Sequence, residues 1–347
     1  MNENQVKHDI ASMTQEEMKA YLLSIGEPTY RSKQIFTWLH KGASFDEMTN
    51  IPASLRAKLT ETTEIRTPKL AQKFVSATDG TVKYLFEMFD GERIESVFMK
   101  YDHGNTVCIS SQAGCRMGCK FCASTINGKS RDLTPSEMLG QVIAVSCDTN
   151  ERVSGVVMMG IGEPLDNYDN VIKFLRLISD PDGVCIGLRH ISLSTCGLAD
   201  KIKSLADEAL PVTLSLSLHA SSDEVRSEIM PINKKFGVSA VLEACKYYFD
   251  KTGRRVSFEY TLIAGKNDSP AHAAGLASVL KNHRQSGAHV NLIPLNPIKE
   301  TDMSAPNTKS AYAFAAQLNS LKINATVRRK LGADIDASCG QLRLWRT

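Results

Sequence analysis

Cys115-Arg116-Met117-Gly118-Cys119-Lys120-Phe121-Cys122 sets three thiols in one short loop, at C-x3-C-x2-C spacing. A β-rich run at 106–110 leads into it. Beyond it Thr134 reads as a helix cap, with Pro135 in the first turn and Glu137 completing a capping box. From there the pattern repeats strand then helix. Strands are expected at 106–110, 153–159, 190–194, 212–218, 256–263 and 289–293. Helices are expected near 170–178, 199–207, 223–229, 238–250 and 270–283. Apolar strands alternating with helices mean a parallel sheet covered by helices. Six such units fall short of the eight that close a barrel, so the expected fold class is α/β, an open partial (β/α)6 barrel. Chemistry in such folds gathers where strands end. That is where the cysteine loop, Gly160 to Pro164, Ser194, Ser217 to His219 and Asn296 fall.

Upstream the character changes twice. Residues 1–62 read as a small helical domain. Thr14 and Glu17 fit a capping box, and Met18, Tyr21 and Leu22 recur at helical spacing. A second helix near 30–41 carries Ile35, Trp38 and Leu39 on one side and Arg31, Lys33 and Lys41 on the other; a third follows Pro52. This unit suits either RNA contact or a packing cap. Residues 63–105 read as an antiparallel β extension, with Asp79-Gly80 and Asp90-Gly91 as turns and strands at 82–88 and 93–99. Glu95 alternates away from Ile94 and Phe98, and a charged strand residue there is expected to face solvent. Residues 106–347 form the barrel with its C-terminal segment.

The chain is 347 residues long with a net charge of +3, enough for a large core but too weakly basic to imply nucleic acid by charge alone. Distribution says more. No acidic residue occurs between Gly104 and Arg131, while Arg116, Lys120, Lys129 and Arg131 do. A second cluster, Arg328-Arg329-Lys330 with Arg343 and Arg346, flanks Cys339. Basic residues beside cysteines suit an anionic substrate; solvated surface charge is the equal alternative. No apolar run approaches a membrane span, and Met1 to Gln5 carry no apolar signal core. A cytoplasmic protein is expected, without membrane contact, and nothing requires an oligomer, so a monomer is expected. Nine cysteines in a reducing compartment point to metal or catalysis.

Three clustered thiolates bind zinc or an iron–sulfur cluster. Structural zinc wants four ligands, usually as two spaced pairs, and no fourth cysteine or histidine follows closely here. A four-iron cluster on three cysteines keeps one iron without a protein ligand. Gly160-Ile161-Gly162 lacks the third glycine of a dinucleotide fingerprint. It permits close backbone approach, and Glu163 offers a carboxylate beside it.

The cysteine loop, with Phe121 before its last thiol, resembles the radical S-adenosylmethionine (SAM) superfamily. Cys108-Ile109-Ser110-Ser111-Gln112, Met159 to Leu165, Ser192-Leu193-Ser194-Thr195, Ser217-Leu218-His219, Met230-Pro231-Ile232-Asn233 and Ala337 to Leu342 together resemble the RlmN/Cfr family of RNA adenine methyltransferases, over essentially the whole chain. The resemblance implies a [4Fe-4S] cluster on Cys115, Cys119 and Cys122. It implies a SAM site formed by Gly162, Glu163, Ser194, Ser217, Leu218, His219 and Asn296. Two SAM molecules are used per turnover, one to methylate Cys339 and one to form a 5′-deoxyadenosyl radical. Cys108 then removes the ring proton, leaving a Cys108–Cys339 disulfide, and Glu95 matches a position assigned as proton acceptor. The covalent relay has a chemical reason: an sp2 ring carbon such as adenine C2 is no nucleophile, so direct transfer from a sulfonium is closed to it.

The implied substrates are 23S rRNA and tRNA, with an electron donor such as flavodoxin. Phe121 to Thr125 and Gly162 to Tyr168 resemble the branch that methylates C2; the alternatives are C8 methylation conferring antibiotic resistance and a non-catalytic, metal-stabilised RNA-binding protein. Cys147, Cys185, Cys196 and Cys245 lack partner spacing and read as packing residues.

Overall fold

Capping chemistry starts the helices where the sequence puts it. Thr14 and Glu17 close a reciprocal box on Gln15–Ser24, and Thr134 and Glu137 do the same on Pro135–Thr149. The computed structural model describes residues 7–102, 104–285 and 287–345. Residues 1–5 and Arg346, both read above, lie outside them.

The sheet is longer than expected. Seven parallel strands run in the order Gly104–Cys108, Val153–Met158, Ile191–Thr195, Thr213–Ser217, Ser257–Leu262, His289–Pro294 and Asn324–Val327. The last was not foreseen; it follows the helix Thr308–Ser320 and pairs with His289–Pro294. On the other side Arg93–Tyr101, Val82–Glu87 and Lys69–Val75 continue the same sheet antiparallel, making ten strands in all. The β extension is therefore the far wing of the barrel sheet. Leu193, Leu214, Leu216, Tyr260 and Leu292 are fully buried beneath the helices. Each such side chain stabilises the fold by about 1.5–3 kcal/mol relative to exposure.

The N-terminal helices Gln15–Ser24, Arg31–Leu39 and Ala53–Thr62 bury Met18, Leu22, Ile35, Phe36, Leu55 and Leu59. The unit is tied to the barrel. Ser136 Oγ donates to Asp9 Oδ2 at 2.6 Å, and Gln15 Nε2 donates to Asp180 Oδ1 at 3.0 Å. Lys33 of its basic side pairs with Asp182 at 2.8 Å. Among the described residues no helix is long and apolar enough to cross a membrane.

Candidate active site

Gly160 and Gly162 shape the site through the chain's own close approach. A Cβ on Gly160 would sit 2.6 Å from the Ile109 carbonyl; one on Gly162, at φ +107°, would sit 2.6 Å from Gln112 Cβ. This lets the loop after Val153–Met158 lie against residues 109–112. Ile161 N donates to Ser110 Oγ at 2.9 Å, and Glu163 N to Gln112 Oε1 at 2.8 Å. The loop so fixed forms one wall of an open cavity with about 930 Å³ of free space, part of it continuous with solvent.

Cys115, Cys119 and Cys122 line this cavity with Gly162, Glu163, Ser194, Ser217, His219, Asn296 and Cys339. Burial, then charge repulsion among neighbouring thiols, pushes Cys115 up to about 12 and Cys119 well above the ordinary thiol range. Three thiols so placed ionise only when a cation accepts them. All three line one cavity from a single loop, with no fourth cysteine or histidine close by in sequence, and a four-iron cluster takes one thiolate per iron, so the donor set fits the cluster.

Glu163 is buried, and burial raises its carboxyl pKa. Its Oε2 accepts from Cys196 N at 2.7 Å and its Oε1 from Leu165 N at 3.0 Å. The backbone thus aims the carboxylate, and the amide of Cys196 is part of that aim. Ser194 Oγ and Ser217 Oγ lie 3.5 Å apart at adjacent strand ends. His219 adopts a left-handed φ of +57° and stands edge-on to Phe121 at 5.0 Å. Its Nδ1 accepts from Thr261 N at 2.9 Å, so the ring proton sits on Nε2. Burial pushes its pKa down to about 3, leaving a neutral N–H donor. Leu218 is fully buried and does not line the cavity; its amide donates to Glu259 O at 3.0 Å.

Cys339 borders two cavities. Beyond it lies a second one with about 790 Å³ of free space, lined by Tyr101, Arg328, Arg329, Lys330 and Ser338 among others. Asn296, expected to read an adenine edge, donates from Nδ2 to the Cys339 carbonyl at 3.0 Å. Its Oδ1 remains an acceptor for a ligand. Gly340 O accepts from Ala123 N at 2.7 Å, joining the Cys339 segment to the cysteine loop. Cys108, at the end of Gly104–Cys108, is buried, and burial pushes its thiol up to about 12, with the Cys339 charge adding and Arg328 opposing. Both Cys108 and Cys339 are free thiols here.

Two arginines, the half-buried Arg328 and the fully buried Arg226, were not singled out as site residues. Arg328 borders both cavities and lies 3.9 Å from Glu259, and negative charge on the Cys339 sulfur beside it holds its pKa up. Its place in a basic cluster beside Cys339 was the available signal. Arg226 binds the carbonyls of Leu218, Cys196 and Ser217 from below; only its position before Met230-Pro231-Ile232-Asn233 hinted at it.

Other expectations change. Glu95 is 1% exposed and lines neither cavity, because residues 336–345 cover the strand face that was expected to meet solvent. The first basic stretch is largely neutralised: Arg116 meets Asp166, Lys129 meets Asp132 and Asp166, and Arg131 meets Asp90 and Glu137. Of the second cluster, Arg343 pairs with Glu300 at 2.8 Å, while Arg329 and Lys330 are exposed at the second cavity.

Comparison with known proteins agrees with this geometry. Residues 109–276 match the Radical SAM superfamily, and residues 8–65 match the ribosomal RNA large subunit methyltransferase N-terminal domain. The chain is 50% identical over 337 residues to a probable dual-specificity RNA methyltransferase RlmN of Lachnospira eligens, covering 96% of this chain and 95% of that one. It is 51% identical to the similarly described protein of Lachnoclostridium phytofermentans, covering 97% and 94%. The crystal structure of a radical SAM methyltransferase from Sphaerobacter thermophilus superposes with a TM-score of 0.91 at 39% identity, covering 97% of this chain and 99% of that one.

Proposed function

The chain belongs to the RlmN family of radical SAM RNA methyltransferases, and from that premise we propose that it methylates C2 of an adenosine in 23S rRNA and in tRNA, with Cys339 as the methyl carrier. The observation that carries this reading is the double exposure of Cys339. One of its sides meets the cavity of Cys115, Cys119 and Cys122; the other meets the cavity of Tyr101, Arg329 and Lys330. A carrier has to face its methyl source and its acceptor, and a basic, aromatic-bordered second cavity suits a nucleotide. The non-catalytic alternative leaves this arrangement without a use.

Cys115, Cys119 and Cys122 would hold the [4Fe-4S] cluster. Glu163, Ser194, Ser217, His219 and Asn296 would hold SAM, with Gly162 and the packed Leu218 shaping the loops around them. Bound there, cluster and SAM together supply one electron and a primary carbon radical. The chain's own residues do the rest. Arg328 offsets negative charge on the Cys339 sulfur as it takes a methyl group. Asn296 fixes the Cys339 backbone while its methyl loses a hydrogen atom and adds to the base. Cys108, buried beside Arg328, would take the ring proton as the adduct gives its odd electron to a one-electron acceptor. The Cys108 thiolate would then attack the Cys339 sulfur; the electron pair of the breaking S–C bond goes to the product carbon, which takes a proton to become the methyl group, and two electrons from a donor of the flavodoxin kind would return both thiols. The enzyme acts as a monomer, and RNA substrates of this kind support a cytoplasmic site of action. The N-terminal unit, residues 1–62, adds RNA contact, residues 63–105 carry the antiparallel wing and residues 106–347 the radical chemistry, with the strand Gly104–Cys108 bridging the last two.

Mass spectrometry of nucleosides from treated, protein-free 23S rRNA tests the reading. 2-Methyladenosine is expected with the intact enzyme and absent with Cys339→Ala. A product containing only 8-methyladenosine would assign the chain to the other chemistry of the resemblance.

A further inference from the structure

Lys83 and Glu95 form an ion pair inside the protein. Lys83 Nζ lies 3.0 Å from Glu95 Oε1, and the two side chains are 8% and 1% exposed. The geometry is off the line of a well-directed hydrogen bond, and among the described residues Glu95 Oε1 has no other donor. The two residues sit diagonally on neighbouring strands: Lys83 faces Val97, and Glu95 faces Leu85. They therefore share one face of the sheet wing. The opposite face carries Tyr84 and Ser96, which bond to Asp148 and Gln141 of the helix Pro135–Thr149.

The face with the ion pair carries the segment that ends the chain. Glu95 Oε2 accepts from Arg343 N at 2.9 Å, and Lys83 Nζ donates to Asp336 O at 3.4 Å. One partner thus grips the chain three residues before Cys339 and the other four residues after it. Between these grips, Asn296 holds the Cys339 carbonyl and Ala123 holds that of Gly340. A charged pair is costly to bury, and a hydrophobic pair would serve stability as well. What the pair supplies here is a charge-assisted bond to the backbone on each side of a reactive cysteine.

We propose that Lys83 and Glu95 act together as a positioning latch: they fix residues 336–343, so that the Cys339 sulfur stays between the two cavities. Glu95 is on this account a positioning residue, and Lys83 is its obligatory partner. The proposal rests on the reading of Cys339 as methyl carrier.

The role separates cleanly from proton acceptance. A proton acceptor is lost in Glu95→Gln and untouched in Lys83→Met. A latch fails the same way in both, and the double variant is no worse than either. The test uses the full chain. Amide hydrogen exchange is read by mass spectrometry on peptides spanning 336–345, and Cys339 methylation is read after anaerobic reconstitution with SAM. Exchange in that segment is expected to rise about tenfold or more in Lys83→Met and in Glu95→Gln, since removing one partner strands a buried charge. Exchange in the strands Thr213–Ser217 and Ser257–Leu262 should stay at the wild-type rate, and Lys83→Arg should restore protection. Methylated Cys339 should fall together in Lys83→Met and Glu95→Gln.

Wild-type exchange of 336–345 in both variants would overturn the latch. So would a Lys83→Met protein with normal Cys339 methylation beside a defective Glu95→Gln, or no protection in Lys83→Arg with the rest of the chain folded. Wild-type enzyme that never methylates Cys339 would instead overturn the carrier reading, while leaving the exchange result standing.

Discussion

Arg226→Met should disable the floor of the cofactor cavity. Arg226 is fully buried, yet its partners are neutral oxygens. Nε donates to Leu218 O at 2.9 Å, Nη1 to Asn233 Oδ1 at 2.9 Å, and Nη2 to Cys196 O at 2.7 Å and Ser217 O at 3.1 Å. The variant leaves at least the three shorter contacts without these donors, at about 1–3 kcal/mol each, or roughly 3–9 kcal/mol together. Removing a charge from the interior returns several kcal/mol of desolvation, so the net loss should be about 2–4 kcal/mol. Arg226→Lys keeps the charge but not the planar fork, and should recover only part of the stability.

Urea unfolding of the reduced, metal-free chain measures the loss as a shift in midpoint. Equilibrium dialysis with SAM after reconstitution should show weakened binding, because the peptides of Cys196, Ser217 and Leu218 carry the cavity wall. A destabilisation under about 1 kcal/mol, with unchanged SAM affinity, would refute the reasoning.

Asn296→Ala should lower Cys339 methylation more than it weakens SAM binding, since the side chain bonds the Cys339 carbonyl; peptide mass spectrometry beside dialysis compares the two. Gly162→Ala should destabilise the fold by at least about 1–3 kcal/mol, from the left-handed φ of +107° and the close Gln112 contact, as read by urea midpoint. His40 is buried and burial holds its pKa down to about 4, so the folded state keeps it neutral while the unfolded chain protonates near 6.5. Its share of stability is therefore whole above pH 6.5 and falls by about 1.4 kcal/mol per pH unit between 6.5 and 4. His40→Gln should flatten that part of the stability–pH curve.

The helix starts were legible because capping boxes are local: Thr14 with Glu17, and Thr134 with Glu137, speak within one turn. The parallel strands were legible as short β-rich runs between helical patterns; most mix buried and half-buried residues, as in Val153–Met158 and Ile191–Thr195. Asn324–Val327 escaped because it is a short edge strand with alternating exposure, and Lys69–Val75 because it is an edge strand exposed along nearly its whole length. The cofactor cavity was legible because its residues cluster at strand ends. What the sequence hid were contacts between distant segments. Glu95 looked solvent-facing because the segment covering it lies 248 residues further along. Arg116, Lys129 and Arg131 looked free because their carboxylate partners Asp166, Glu137 and Asp90 lie outside the stretch that was read. Gly160 and Gly162 signalled a close approach, but which backbone approached them was visible only in three dimensions.

The central claim is that the methyl group passes through Cys339. Enzyme whose Cys339 has been loaded from SAM with a deuterated methyl group, freed of excess label and given unlabelled SAM with 23S rRNA, tests it in a single turnover. The account predicts deuterium in the first 2-methyladenosine formed and one deuterium transferred to 5′-deoxyadenosine. A first product carrying only unlabelled methyl, with the label still on Cys339, would contradict it.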